Sequence, residues 1–374
     1  MEKKSQVYFT DFRIDRGDTI TKKMQRLMEK AGIGTIDFDG KFVAIKMHFG
    51  ELGNLSFLRP NYAKAVADLV KSKGGKPFLT DCNTLYPGFR KNALEHMDCA
   101  EENGFSEAST GCHIIIGDGL RGTDEVDVPI HNGTILQEAH IGHAIMDADV
   151  FIALTHFKGH EETGFGGTIK NIGMGCGSRA GKMAQHCEGK PKVDLNRCRG
   201  CKRCAKECGS DAISYPNGKC VIDKVKCKGC GRCIGACAFD AISPEVWNAN
   251  GLLGEKIAEY SMAVTYGRPC FYINVIRDVS PNCDCCVEND APIIPNIGML
   301  CSFDQVALDQ ASVDLCNKAE PISNSQIGDN EKKGAKLTGN LFHDSNPQTD
   351  SESALRHGEE IGLGSRSYDL IIMK

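Results

Sequence analysis

The sequence predicts an α/β protein: a mostly parallel open sheet with helices on both faces, interrupted by a short segment of different character. Three observations predict it. Short apolar runs alternate with amphipathic stretches over the first 190 residues. Composition then turns abruptly to Cys, Lys, Arg and Gly near Gly189 and reverts near Pro244. Beyond that point the earlier alternation resumes. The expected organisation is one α/β domain in two parts, 1–189 and 246–374, around an inserted segment, 190–245.

Each element rests on local pattern. Residues 42–47 (FVAIKM) read as a buried strand. Pro60 suits a first helical position and opens a helix with Tyr62, Val66, Leu69 and Val70 on one face, closed by Gly74-Gly75. Strands are expected at 77–80, 113–116 and 150–155, and helices at 90–103 and 138–147. After the insertion, 270–276, 297–300 and 369–373 read as strands and 304–317 as a helix, whereas polar residues 323–350 read as an exposed loop.

The insertion carries a repeat. Cys198-x2-Cys201-x2-Cys204-x3-Cys208 recurs 29 residues later as Cys227-x2-Cys230-x2-Cys233-x3-Cys237. Three thiolates on a tight turn plus a fourth from the other half is the spacing of a bacterial-type ferredoxin, a small α+β dicluster domain with two [4Fe-4S] clusters. One cluster is expected on Cys198, Cys201, Cys204 and Cys237, the other on Cys227, Cys230, Cys233 and Cys208. Gly209 and Ala238 stand where proline is usual, which weakens the turn but removes no ligand. Zinc also favours four thiolates, but its motifs pair two C-x-x-C knuckles instead of this triple spacing. Cys220 lies outside both motifs and reads as a buried thiol.

Unusual polar residues follow the expected strands, where an open parallel sheet binds ligands. They are His48 and Glu51, preceded by Lys46; Asp81 and Asn83; His156, Lys158 and His160; the Cys283 group; and Asp304. In an extended segment His156, Lys158 and His160 fall on one side, and a lysine between two histidines suits an anionic substrate or proton transfer. The glycine-dense run 164–177 lacks the spacing of a P-loop or dinucleotide fingerprint, and reads as a loop whose backbone approaches an anionic ligand with Lys170 supplying charge. His48, Glu51, His156, Lys158, His160 and Lys170 are therefore the candidate catalytic residues.

Cys283, Cys285 and Cys286 form a second thiol group. Adjacent Cys285 and Cys286 are not expected both to reach one ion without strain. The expected third site takes Cys283, one of the following pair and Cys176, for an iron-sulfur cluster or a soft metal ion. A redox-active thiol group or inert packing are the alternatives.

Twenty cysteines exceed what packing needs, and in a reducing cytosol they point to metal binding over disulfides. A net charge of -5 gives no basic footprint for nucleic acid, and no apolar run reaches the roughly 20 residues of a membrane span. The N-terminus lacks a secretory core, so the expected location is cytoplasmic.

The runs Thr155-His156-Phe157-Lys158-Gly159-His160 and Gly164 through Cys176 resemble the signature of the uncharacterised DUF362 family, as do Asp290 through Gly298, Asp304 through Ala311 and Glu360 through Ser365. The resemblance spans nearly the whole chain, and it implies the same ferredoxin insertion, which members often carry. Asn296 departs from the Asp of that pattern. A fainter similarity, in the α/β opening and Gly166-Gly167-Thr168-Ile169-Lys170, is to the nickel-pincer lactate racemases. The expected function is an iron-sulfur oxidoreductase relaying electrons from a ferredoxin or other redox protein to a substrate or metal site in the α/β domain. The alternatives are a non-enzymatic electron-transfer subunit and a metal-dependent racemase-like enzyme with structural clusters.

Overall fold

The computed structural model describes residues 4–86, 88–187, 190–245 and 251–373. An eight-stranded sheet runs in the order Tyr368–Ile372, Ser5–Asp11, Gly298–Ser302, Cys270–Ile276, Val150–His156, Phe42–Lys46, Lys76–Asp81, Ile114–Ile116. Neighbours are parallel except at Gly298–Ser302, which alone runs against the rest.

Both faces of the sheet are covered. Along the central strand Val150, Ile152 and Leu154 join a core with the helices Ile20–Lys30 and Pro60–Ser72, through Met24, Leu27, Val66 and Val70. Phe151 and Ala153 point the other way, into a core shared with the helices Thr168–Cys176, Leu253–Thr265 and Gln305–Asn317. A strand buried on both faces needs apolar residues at successive positions, which is why these strands read as continuous runs.

Four expectations for local structure are corrected. Residues 138–147 form a strand, Glu138–Gly142, paired with Glu125–Pro129, and only then a short helix, His143–Met146. Ala139 and Ile141 are buried while Glu138 is exposed, an alternation of period two that suits a strand. The glycine-dense run is not a loop: after the short strand Gly164–Gly166 it forms the helix Thr168–Cys176. Its glycines permit close packing, since a methyl on Gly173 would land on the Ile257 carbonyl. The polar stretch 323–350 contains the helices Gln326–Lys332 and Leu341–Ser345, anchored by buried Ile327, Leu341 and Phe342. The helix expected at 90–103 starts later, at Ala93, because Asn92 caps it by accepting the Glu95 N–H at 3.1 Å.

The cysteine-rich segment hangs on a two-stranded stem in which Pro191–Val193 pairs antiparallel with Ile242–Pro244, Pro191 lying opposite Pro244. Beyond the stem lie a second small ladder, Ile213–Ser214 with Val221–Ile222, and the short helices Arg203–Lys206 and Arg232–Ala236. Cys198, Cys204, Cys220, Cys233 and Cys237 pack with Ile222, Ile234 and Ile242 in a core of their own, which Leu85 and Met183 join from the α/β side. The expected segment limits fall beside residues 188–189 and 246–250, outside the described residues. Among the described residues no helix is long and apolar enough to cross a membrane.

Candidate functional site

Four parallel strands end at one rim of the sheet, and the chain beyond each delivers side chains to a cavity of about 450 Å³. Phe42–Lys46 delivers Lys46 and then His48; Lys76–Asp81 delivers Asp81 and then Tyr86 and Arg90. Val150–His156 and the short strand Lys158–His160 deliver His156, Lys158 and His160, with Glu161 and Glu162 following, and the chain after Cys270–Ile276 returns with Cys285 and Cys286. The helix Thr168–Cys176 contributes Lys170 and Asn171, and the helix Arg179–Cys187 contributes Lys182 and His186.

The cations face the cavity and many of their counter-ions stand behind them. Lys46 lies 3.1 Å from Asp81 and donates to Asn171 Oδ1 at 2.9 Å. Arg90 Nε donates to Glu51 Oε2 at 3.1 Å, and its guanidinium also meets the Tyr86 hydroxyl. Glu51 takes the Phe89 N–H at 2.8 Å as well and is not part of the cavity lining, so it positions Arg90 and does not meet a ligand directly. Lys158 stands 3.8 Å from Asp284, which lies behind it. Burial alone would lift the Asp81 carboxyl; Lys46, His96 and Arg90 hold it below the usual range.

The three histidines of the rim differ in their partners. His156 Nδ1 lies 2.9 Å from an Asp284 carboxylate oxygen and Nε2 2.7 Å from the Arg277 carbonyl. Both neighbours are hydrogen-bond acceptors, and together they fix the ring in place. Burial would raise Asp284, and the His156 and Lys158 charges keep it lowered. His48 Nδ1 instead accepts the Gly50 N–H at 2.9 Å, and burial followed by the Arg90 charge pushes its pKa well down, so it is a neutral ring with its proton on Nε2. His160 Nδ1 accepts the Glu162 and Thr163 N–H groups at 3.1 and 3.2 Å, which leaves Nε2–H to face the Cys283 sulfur.

Cys283 is fully buried, and Lys170 Nζ donates to its sulfur at 3.1 Å. The hydrogen bond from Cys285 lowers its pKa most; burial opposes, and the Lys170 and Lys158 charges with His160 add to the lowering, so the group is a thiolate. Cys285, which hydrogen-bonds Cys283 and Cys286, is pushed well up. Cys176 does not join this group. It is buried in the core beside Cys82, whose sulfur faces the Cys176 carbonyl at 3.4 Å. Glu161 takes the place expected for it: its carboxylate lies with the Cys285 and Cys286 sulfurs, all within 4.8 Å of one another. Contrary to the sequence expectation, the adjacent cysteines do converge.

In the cysteine-rich segment one hollow is lined by Cys198, Cys201, Cys204 and Cys237, and a second by Cys208, Cys227, Cys230 and Cys233. Backbone N–H groups reach Cys208 Sγ from Ala212 at 3.4 Å, Cys237 Sγ from Ala241 at 3.3 Å and Cys198 Sγ from Cys220 at 3.4 Å. The helix Arg179–Cys187 separates these hollows from the cavity. Arg179 lies against Gly231 and Gly235, and Met183 against Gly231, on one side; Lys182 and His186 line the cavity on the other. Leu85 belongs to both walls.

Two further expected residues lie away from the cavity. Asp304 follows the one antiparallel strand, so it emerges at the opposite end of the sheet from the rim. There it caps Gln305–Asn317 through the Ala307 N–H at 2.9 Å and binds Ser365 N–H at 2.9 Å. Asn83 is turned to Asp118 Oδ1 at 2.8 Å. Arg90, Tyr86, Lys182, His186 and Glu161 line the cavity without having been singled out in the sequence. Glu161 directly follows the His-x-Lys-x-His run and was within reach of the same argument; the others carry no local signal.

No curated protein matches the chain. A structure of the lactate racemase apoprotein from Thermoanaerobacterium thermosaccharolyticum aligns with 74% of this chain and 52% of its own, at 15% identity and a TM-score of 0.36. A crystal structure of a Thermotoga maritima protein aligns with 68% of this chain and 50% of its own, at 12% identity and a TM-score of 0.32. The chain spans about half the length of either. The family profile described as "Domain of unknown function (DUF362)" matches residues 43–314. That match takes in the four rim strands, the Lys158–His160 segment, the cysteine-rich segment and the Cys283 group, and the chain belongs to the DUF362 family.

Proposed function

We propose that the protein is an iron-sulfur oxidoreductase that acts on a small anionic substrate in the rim cavity. Segment 190–245 would hold two [4Fe-4S] clusters, on Cys198, Cys201, Cys204 and Cys237 and on Cys208, Cys227, Cys230 and Cys233. The residues fit: the four cysteines of each set line one hollow, the first joined by Cys220, and main-chain N–H groups aimed at the sulfurs supply the hydrogen bonds that tune such clusters. When bound, the clusters supply single electrons.

The observation that carries the reading is the shared wall. Leu85 and the helix Arg179–Cys187 touch the cysteine core on one side and the cavity on the other. Lys91, next to Arg90, donates to the Cys237 carbonyl at 2.7 Å. A carrier without a substrate would have no use for a cavity lined by Lys46, Arg90, Lys158, Lys170 and Lys182. In this reading Lys158, Lys170 and Arg90 bind the anion, His48 donates a hydrogen bond to it from Nε2–H, and fixed His156 holds Asp284 and Lys158 in place. Exposed Lys202, Arg203 and Lys206 beside Cys201 suit docking of an acidic redox protein such as a ferredoxin.

The test is anaerobic purification followed by metal analysis and a reductive titration watched by electron paramagnetic resonance. About eight iron and eight sulfide per chain, four of each per cluster, with reducible signals that a bound carboxylate or phosphate perturbs, is the expected result. Zinc in place of iron refutes the cluster assignment. Clusters that resist reduction refute the oxidoreductase reading.

A further inference from the structure

Glu161, Cys285 and Cys286 come from two chain segments far apart in sequence, one following Lys158–His160 and one following Cys270–Ile276, and all three line the cavity. Their ligand atoms lie within 4.8 Å of one another. The carboxylate is divided between two tasks: Oε2 accepts the Cys283 N–H at 3.1 Å, while Oε1 faces Cys286 Sγ at 3.5 Å. Cys285 Sγ lies within hydrogen-bond reach of both Cys283 and Cys286. We infer that Glu161, Cys285 and Cys286 form a mononuclear metal site for a zinc-class divalent cation, with its fourth position open to the cavity.

Donor chemistry selects the ion. Two sulfurs and one carboxylate oxygen suit a borderline-soft divalent cation and are unsuited to magnesium or calcium, which take oxygen ligands. Three protein ligands and one free position facing a cavity is the arrangement of a catalytic metal site; a structural one is closed by four. Two thiolates and a carboxylate with a divalent ion leave one negative charge, in a cavity also lined by Lys46, Arg90, Lys158, Lys170 and Lys182. Cys283, held by Lys170 and His160, stands behind Cys285 and orients it, as groups behind a ligand commonly do. The open position would take an oxygen of the same anion that the cavity lysines hold. That role rests on the cavity reading above, but metal binding does not.

The experiment uses the full chain purified without oxygen and then supplied with zinc. Expected are one zinc per chain in addition to the iron, and a zinc K-edge absorption spectrum with two sulfur and two lighter neighbours. Cys285→Ser and Cys286→Ser should each lose zinc to a competing chelator at least about tenfold more readily, and Glu161→Gln to a smaller degree, with iron content and circular dichroism unchanged. Cys176→Ser should retain zinc. Iron intact with no zinc taken up, or zinc retained equally by Cys285→Ser and Cys286→Ser, overturns the site and leaves the cluster reading standing. Extra iron and sulfide lost on Cys285→Ser also overturns it, in favour of a cluster at the same cysteines. Zinc with four sulfur neighbours and iron missing places the metal in segment 190–245, which overturns both.

Discussion

Lys170 holds its ammonium 3.1 Å from the sulfur of fully buried Cys283. Removing the cation leaves a thiolate without its main counter-charge. Lys170→Met is expected to cost about 1.5–3 kcal/mol in urea unfolding, the range for a hydrogen bond to a charged group, and Lys170→Arg to recover much of it. Equal unfolding midpoints for wild type and Lys170→Met would show that the pair contributes nothing.

Arg179 sits under the cysteine-rich segment and donates to three carbonyls: Arg121 O at 3.1 Å, Thr84 O at 3.0 Å and Lys91 O at 2.5 Å. Each buried acceptor left alone costs about 1–3 kcal/mol. Arg179→Ala should therefore destabilise by at least about 3 kcal/mol, and should speed proteolytic cleavage in segment 190–245 more than elsewhere. Lys at this position cannot serve three acceptors in a plane and should rescue only partly. Limited proteolysis with mass mapping decides it; uniform cleavage rates would sink the assignment of Arg179 as the anchor.

Two glycines in one helix should behave differently. A methyl on Gly173 would meet the Ile257 backbone, which cannot yield, whereas one on Gly175 would meet the flexible end of Lys46. Gly173→Ala is expected to lower stability by about 1–3 kcal/mol or abolish soluble protein. Gly175→Ala should keep the fold but push Lys46 off Asp81, and so change anion binding in the cavity. Calorimetric titration with phosphate or a small carboxylate beside a melting curve separates the two, and the idea fails if Gly175→Ala binds as well as wild type.

Asp309 gives a pH dependence of definite sign. Its carboxylate caps the helix Thr168–Cys176 through the Thr168 and Ile169 N–H groups at 2.7 and 2.9 Å, yet burial raises its pKa from 3.8 to about 6. Between those values the folded chain keeps a proton that the unfolded chain has released, so this group's contribution to stability falls as pH rises from about 4 to 6 and is flat above. The total is up to about 3 kcal/mol. Asp309→Asn removes the titration. The stability of wild type relative to the variant should fall across that interval, and parallel pH profiles would refute it.

The sheet was legible because its central strands are buried on both faces: Phe42–Lys46, Val150–His156 and Cys270–Ile276 show as unbroken apolar runs at nearly their observed limits. The Ser5–Asp11 strand escaped because polar residues interrupt it at a half-buried position. Glycine misled in 164–177, where it marks close contact of the protein with itself instead of an open loop. Within the site, strand direction made Lys46, His48, Asp81, His156, Lys158 and His160 readable; Asp304 fails for the single reversed strand, and Glu51 and Asn83 fail because they turn to Arg90 and Asp118 behind the lining. Arg90, Lys182 and His186 reach the cavity from loops or helix faces whose aim depends on tertiary packing, for which no local pattern exists.

Pro191 and Pro244 face each other across the stem. To the sheet, the whole excursion between them is therefore equivalent to a hairpin: the chain leaves and returns at one point, and no strand order depends on what lies between. A short turn joining the two sides of the stem should leave the α/β sheet's connectivity intact while stripping the cavity of one wall's support at Leu85 and Met183. The segment is thus separable in topology but not in contact, so its loss would be felt first at the cavity and only later in the fold.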